Sequence, residues 1–344
     1  MHNGSVAAPV TLRDVARVAG VHPGTVSRAL NGETRGLVNE ETARRVLEVA
    51  AELGYRPNPI ARGLKTNRSY TVGVLVPDLT NPLFPPIVRG IEDRLTKAGY
   101  TSLIANTEND AERERIDFEA MRARQVDGFI TATARLDDKL LAEMAASGQR
   151  VVLVNRRMED AALASVAPDD RMGIRLAVEH LTGLGHHRIA HVGGPQDLST
   201  GHQRHLGFLE SMRAAGLDAD GAPVRFSRGF TEADGADACR DLLAAHGDIT
   251  AIVAGNDLIA LGCYDALKER GLDCPRDVSV VGFNDMPFAD RFNPPLTSVR
   301  LPHREIGAAA ADLLLEALAD ADTPPRQILL SPSLVVRDST ASPP

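Results

Sequence analysis

Apolar positions follow two different rhythms along this chain. Over residues 11–54 they recur at helical spacing in three short runs: Leu12, Val15, Ala16 and Ala19; then Val26, Ala29 and Leu30; then Val46, Leu47, Val49, Ala50 and Leu53. Cap chemistry punctuates the runs. Thr11 and Asp14 have the spacing of a capping box, with the Asp14 carboxylate near the positive end of the helix dipole. Gly20 suits a left-handed C-terminal residue, and Pro23 suits a first helical position. Asn31-Gly32 ends the second run; Asn39, with Glu40 and Glu41 behind it, opens the third, and Gly54 closes it. The pattern predicts three short helices with a tight turn between the first two, which is a helix-turn-helix unit.

From residue 70 onward, near-continuous apolar runs alternate with amphipathic stretches. Strands are expected at Thr71–Val76, Thr101–Ala105, Gly128–Ala132, Val151–Val154, Ile189–Val192, Val224–Phe226, Ala251–Ala254 and Ser279–Phe283. Helical patterns fall between them, at Ile87–Ala98, Ala111–Arg124, Arg171–Leu184, Gln203–Ala215 and Leu258–Arg270. Such alternation predicts an α/β body of parallel sheets covered on both faces, and eight strands are enough for two doubly wound lobes. Tail strands near Ser298–Arg300 and Ile328–Val336 flank a further helix, Glu305–Leu318.

Charge sharpens this division. Residues 1–70 carry a net charge of +4 and the rest −12, within a chain of 344 residues and net charge −8. A small basic head on an acidic body suits a head that meets a polyanion. The three cysteines, Cys239, Cys263 and Cys274, form no CxxC pair and are odd in number, so free, mostly buried thiols in a reducing compartment are expected. No apolar run approaches the ~20 residues of a bilayer span. Residues 1–10 show no basic n-region or apolar core of a signal peptide, and a cytoplasmic location is expected.

The second helix is expected to expose His22, Pro23, Gly24, Thr25, Ser27 and Arg28 near its N-terminal end, the part that meets base edges in the major groove. Arg28 can contact guanine in bidentate fashion. Three motifs here, T-L-x-D-V-A-x-x-A-G-V, T-V-S-R-x-L-N and L-G-Y-R-P-N-x-x-A-R-x-L, resemble those of the lactose-repressor (LacI/GalR) family of transcription regulators, and the resemblance covers essentially the whole chain. It implies a helix-turn-helix headpiece over 1–56, a hinge over 57–69, and an effector-binding and dimerisation body over 70–344 of the type I periplasmic-binding-protein kind. Within that body the N-lobe is expected at about 70–166 plus 299–323, and the C-lobe at about 167–298 plus 324–340. The resemblance puts His22, Pro23, Gly24 and Arg28 at base-contacting positions, and Thr11, Thr25, Ser27 and Asn31 near phosphates. Two departures stand out. Pro23-Gly24 replaces side chains that could reach bases, and Gly36-Leu37 is a two-residue insertion that leaves the role of Arg35 open.

The segment Pro57–Thr66 is too short to be more than a marginal helix in water. By resemblance it is the hinge helix, in which Asn58, Ala61, Leu64 and Lys65 meet the minor groove and Leu64 acts as the wedge that kinks the duplex.

Ligands of doubly wound sheets bind beyond the carboxyl ends of strands. Reading those ends collects Asp78 to Phe84, Asn106, Asn155-Arg156, Gly193-Gly194, Asn256-Asp257 and Asn284-Asp285. By resemblance Arg204 is the effector-binding arginine, and Leu83, Phe84, Asn155, Thr200, Phe230 and Asn256 fall at effector-contact positions. Asn284 stands where the family usually has an aspartate. The candidate effector set is therefore Leu83, Phe84, Asn155, Arg156, Thr200, Arg204, Phe230, Asn256, Asn284 and Asp285, and a polar, sugar-like molecule suits it.

His186, His187, His191, His202 and His205 do not complete a metal-ligand spacing, and GHHRIAHVGG instead reads as a turn into a strand. No phosphate-loop, HExxH, GxSxG or EF-hand run occurs. No catalysis, cofactor or metal is expected. The expected partners are an operator duplex, a small-molecule effector and a second copy of the chain, which together make a repressor of a pseudo-palindromic operator. The alternative is a solute-binding receptor without a DNA role, against which the helical head counts.

Overall fold

The structure, a computed structural model, describes residues 10–31, 34–55, 68–159 and 163–344. The chain separates into two compact units, residues 1–69 and 70–344. The expected hinge segment, with Asn58, Ala61, Leu64 and Lys65, lies outside the described residues.

In the first unit, α1 (Leu12–Ala19), α2 (Pro23–Leu30) and α3 (Glu40–Glu52) pack around Val15, Ala19, Val26, Ala29, Val46 and Ala50. The capping box forms as expected: the Asp14 N–H donates to Thr11 Oγ1 at 3.4 Å, and the Thr11 N–H donates to Asp14 Oδ2 at 3.0 Å. Gly20 takes φ 65, the left-handed C-terminal conformation. Two guanidiniums finish the helix ends. Arg45 Nε donates to the Ala19 carbonyl at 3.1 Å, and Arg35 Nε to the Ala29 carbonyl at 3.0 Å. Arg35 thus anchors the C-terminal end of α2, and the inserted Gly36-Leu37 completes a 3₁₀ turn, with Leu37 74% exposed. Leu47 and Leu53, expected to face inward, are only half-buried because the tighter seam of α3 is filled by Val46, Val49 and Ala50.

The second unit holds twelve strands among the described residues: β1 (Thr71–Val76), β2 (Thr101–Asn106), β3 (Gly128–Thr131), β4 (Val151–Val154), β5 (Ala164–Pro168), β6 (Ile189–Gly193), β7 (Val224–Phe226), β8 (Ala251–Ala254), β9 (Ser279–Asn284), β10 (Thr297–Arg300), β11 (Gln327–Leu330) and β12 (Ser333–Val335). Its helices are α4 (Phe84–Lys97), α5 (Ala111–Ala123), α6 (Lys139–Ala146), α7 (Asp170–Gly183), α8 (Ser199–Ala214), α9 (Glu232–Ala245), α10 (Asp257–Glu269) and α11 (His303–Ala319). Two six-stranded sheets result, in the orders β11-β5-β4-β3-β1-β2 and β12-β10-β9-β8-β6-β7. All pairings are parallel except that of β12 with β10. Side chains of β1 alternate between faces: Val72, Val74 and Val76 join Ile87, Ile91 and Leu314, whereas Leu75 joins Phe118, Met121 and Phe129. Both faces are therefore apolar and helix-covered, which is why the strand reads as a continuous hydrophobic run.

The pattern of apolar residues did not single out β5, α6 or α9, which carry an interior serine, a short run and an alanine-rich acidic face respectively. The tail is also corrected. β10 belongs to the second sheet and β11 to the first, so the chain crosses between lobes at 301–302 and again at 331–332, not at 299 and 323. Pairing of Gln327–Leu330 with Ser165–Pro168 draws the tail back onto the first sheet before it returns.

Although α11 follows a strand of the second sheet, it packs on the first lobe against α4. Contact is backbone to backbone: a Cβ on Gly307 would lie 2.0 Å from the Ile87 carbonyl oxygen, and one on Gly90 2.1 Å from that of Arg304. Gly307→Ala is expected to force the helices apart and cost about 1–3 kcal/mol. Gly183→Ala, with no neighbour within 4 Å, is expected to be neutral or mildly stabilising. Denaturant titration of the two variants checks the contrast, and equal stability of both would contradict this packing.

Candidate functional site

A cavity of about 430 Å³ opens between the two lobes of the second unit. Its walls are the segments that leave the carboxyl ends of the strands. From the first lobe come Asp78, Asn81, Leu83 and Phe84 after β1, Asn109 after β2, Arg135 after β3, and Asn155 and Arg156 after β4. From the second come Asp197, Thr200 and Arg204 after β6, Arg228, Phe230 and Asp234 after β7, Asn256 after β8, and Asn284 closing β9. Both sheets reverse their strand order here, at β1/β3 and β6/β8, which leaves a crevice where adjacent connections diverge to opposite faces.

Arg204 is the most constrained of these groups. It is 2% exposed, its Nε donates to Asp170 Oδ1 at 2.7 Å, and its Nη1 donates to the Gly255 carbonyl at 2.6 Å. Its guanidinium carbon lies 3.9 Å from the centre of the Phe283 ring and 5.9 Å from that of Phe230. Burial pushes the Asp170 carboxyl above its ordinary range, and Arg204 pulls it back. A buried pair of this kind stands only when both partners are present.

Two amides supply acceptors. Asn155 and Asn284 end their strands with φ 65 and φ 113, conformations that asparagine tolerates better than most side chains. Both residues line the crevice, each has a buried Oδ1, and neither oxygen has a hydrogen-bond partner among the described residues. Asn256 is differently occupied: its Oδ1 caps α10 by accepting from the Ile259 N–H at 2.8 Å. Arg156 is 5% exposed; its Nη1 donates to the Thr133 carbonyl at 3.2 Å, and burial lowers its pKa to about 10. One rim of the crevice is stitched across the lobes, where the Leu136 N–H donates to the Asp197 carbonyl at 2.9 Å and the Arg157 N–H to Ser199 Oγ at 2.8 Å.

Nine of the ten expected cavity residues line this space; Asp285 does not. The turn at Asn284 sends the next side chain away from the crevice, and the Asp285 carboxylate accepts from Arg300 Nε at 2.6 Å and Arg337 Nη2 at 2.7 Å. It fastens the β10 and β12 ends instead. Strand-end reading passed over Asn109, Arg135 and Arg228, which stand in loops that the apolar pattern leaves blank, and Asp234, in the first turn of α9.

In the first unit, His22 and Arg28 are exposed, while Pro23, Gly24, Thr25, Ser27 and Asn31 are half-buried. His22 is also the N-cap of α2: its Nδ1 accepts from the Gly24 N–H at 3.1 Å. Thr11 is exposed, and its hydroxyl donates to Asp14 Oδ2 at 2.6 Å.

Residues 11–58 match the family described as bacterial regulatory proteins, lacI family, and residues 178–340 match a periplasmic binding protein-like domain. Along its length the chain is 34% identical over 331 residues to the HTH-type transcriptional regulator RegA of Clostridium saccharobutylicum, covering 96% of this chain and 99% of that one. The chain belongs to the LacI family. It is therefore a DNA-binding transcriptional regulator, with a helix-turn-helix head and an α/β body of two lobes. Similar solved structures include a lac repressor dimer bound to operator and the anti-inducer ONPF, at 28% identity, TM-score 0.84, and coverage of 97% of this chain and 100% of that one. The regulator CelR in complex with cellobiose matches at 33% identity with a TM-score of 0.74, over 96% of this chain and 99% of that one.

The body also holds buried histidines with a consequence for stability. His186 is tied to Thr250 Oγ1 at 2.9 Å and to the Ala341 carbonyl at 2.8 Å, in the turn that leads into β6. Burial lowers His191 to about 4 and His303 to about 4. An unfolded histidine titrates near 6.5. Between these values the unfolded chain binds more protons, so this contribution is complete above pH 6.5 and is lost as pH falls towards 4. Buried Asp257, pushed up to about 7, acts in the opposite sense between its unfolded value and 7. His303→Gln is expected to flatten the loss of stability between pH 6.5 and 4.5 by up to about 1.4 kcal/mol per pH unit. Denaturation curves across that range measure it, and an unchanged slope would show that His303 titrates normally.

Proposed function

We propose that the protein is a repressor that binds a pseudo-palindromic operator as a homodimer, and that a small polar, sugar-like effector in the interlobe cavity controls its grip. The observation that carries the effector reading is the convergence of Arg204, Asn155 and Asn284 on one crevice, the two amides each keeping a buried Oδ1 that no described group satisfies. Hydroxyl groups of a polyol would donate to the two oxygens and accept from guanidinium N–H groups. Phe84 and Phe230 offer apolar faces against which a ring can lie, and Leu83, Arg156, Thr200 and Asn256 complete the proposed contact set. The cellobiose complex of CelR supports a sugar as the ligand class.

On the DNA side, α2 enters the major groove with His22 and Arg28 as the base readers. Pro23 and Gly24 face the bases without reaching them, and Thr11, Thr25, Ser27 and Asn31 lie near phosphates. Asn58, Ala61, Leu64 and Lys65 form the minor-groove hinge, with Leu64 the wedge. Effector and operator communicate because the two lobe arrangements differ in affinity for each; a ligand shifts an equilibrium only through such a difference. Coupling of about 1–3 kcal/mol gives 5–150-fold control. The protein acts by binding, without turnover, in the cytoplasm where its operator is. No described helix is long and apolar enough to cross a membrane.

Arg28→Ala is expected to weaken operator binding by about 1–3 kcal/mol while binding to unrelated duplex falls far less. Equal losses in a gel-shift comparison would remove Arg28 from base reading. For the cavity, a thermal-shift screen of sugars, nucleosides and small acids identifies the effector by the rise in melting temperature. Asp170→Asn with Arg204→Gln removes both charges of the buried pair together and spares the fold an unpaired carboxylate. The double variant is expected to bind operator but to lose the effector's melting shift and its effect on operator affinity. A double variant that responds as the native protein does would place the ligand elsewhere.

A further inference from the structure

We propose that His22 is a fixed-tautomer hydrogen-bond donor to a base edge, and that it excludes cytosine at one position of each operator half-site. The proposal rests on α2 as the base-reading helix and goes on to say what its leading residue selects. The ring is held by its own helix: Nδ1 accepts the Gly24 N–H at 3.1 Å. A neutral imidazole has one acceptor and one donor nitrogen, so this bond commits the proton to Nε2. The rest of the side chain is exposed at the leading end of α2.

The neighbouring residues make this arrangement possible. Pro23, at the first helical position, carries no N–H that would need a cap. Gly24 leaves room for the ring, since a Cβ there would stand 3.2 Å from Nδ1 and 3.7 Å from Cε1. That same point is 3.9 Å from Arg28 Nη2, so the imidazole and the guanidinium converge over Gly24. Pro-Gly is therefore the pair of small residues that lets two donors lie side by side at the tip of the helix. In the major groove both purines offer N7, guanine adds O6 and thymine offers O4, all acceptors; cytosine presents only its N4 amino group, a donor. An Nε2–H tolerates the first three bases and is repelled by the fourth.

The test is selection from a randomised duplex library by the full-length protein and by His22→Ser. Serine keeps a capping oxygen for the helix but is too short to reach a base. The native protein is expected to disfavour cytosine about five- to tenfold at one position per half-site, the worth of one hydrogen bond. His22→Ser is expected to level that position alone, with the Arg28-dependent position and the melting temperature preserved. Imidazole nitrogen NMR of the full-length protein near pH 8 should show the proton of His22 on Nε2. Enrichment of the same sequences by His22→Ser, or a proton on Nδ1, overturns the histidine's role while leaving the reading of α2 intact. A native protein that enriches no sequence overturns both.

Discussion

The buried ion pair between Arg204 and Asp170 ties together the parts of the body that have to cooperate. Asp170 opens α7 directly after the chain first leaves the first sheet, and Arg204 lies on α8 after the switch-point strand β6. Through Nη1 the same guanidinium reaches the Gly255 carbonyl beyond β8, and it lies over Phe283 of β9. One side chain therefore gathers a lobe crossing and three strand ends around one wall of the cavity. Taking two charges out of water costs several kcal/mol per ion unless their hydrogen bonds are met, so the site cannot be rearranged piecemeal. A ligand that engages the outer edge of Arg204 acts on a group already coupled to the crossing.

The crossings explain how a cavity between lobes can influence the whole body. The chain passes between the sheets near 169, 301 and 331, and Asp285 fastens the second and third passages by accepting from Arg300 and Arg337. The lobes are also joined across the crevice, by Leu136 N–H to the Asp197 carbonyl and Arg157 N–H to Ser199 Oγ. The head has a comparable economy of parts, because Arg35 and Arg45 finish helix ends while Arg28 stays exposed on α2.

Much of this architecture is legible in the residue pattern. Thr71–Val76, Val151–Val154 and Ala251–Ala254 have the bounds expected of them, because strands buried on both faces are written as unbroken apolar runs between turns. The three head helices follow from spacing and caps that act within four residues. By contrast, β5 could not be read from its own residues: Ser165 interrupts it, and its pairing with β4 on one side and β11 on the other is what makes it a strand. Asp285 was legible as a strand-end carboxylate but not as a clasp, since its arginine partners lie 15 and 52 residues away.

By itself the sequence determined the two-unit plan, the alternation that yields doubly wound sheets, the helix caps and the family, because each depends on local periodicity or on motifs read within a short window. Only the tertiary structure decided which polar residues line the crevice and which are consumed elsewhere: Asn155 and Asn284 buried with unmet oxygens, Arg204 tied to Asp170 and Gly255, Asp285 turned to the seam. The physical reason is that a polar group's role depends on whether its hydrogen bonds are already met. Those partners are brought to it by the fold, across separations that no residue pattern records.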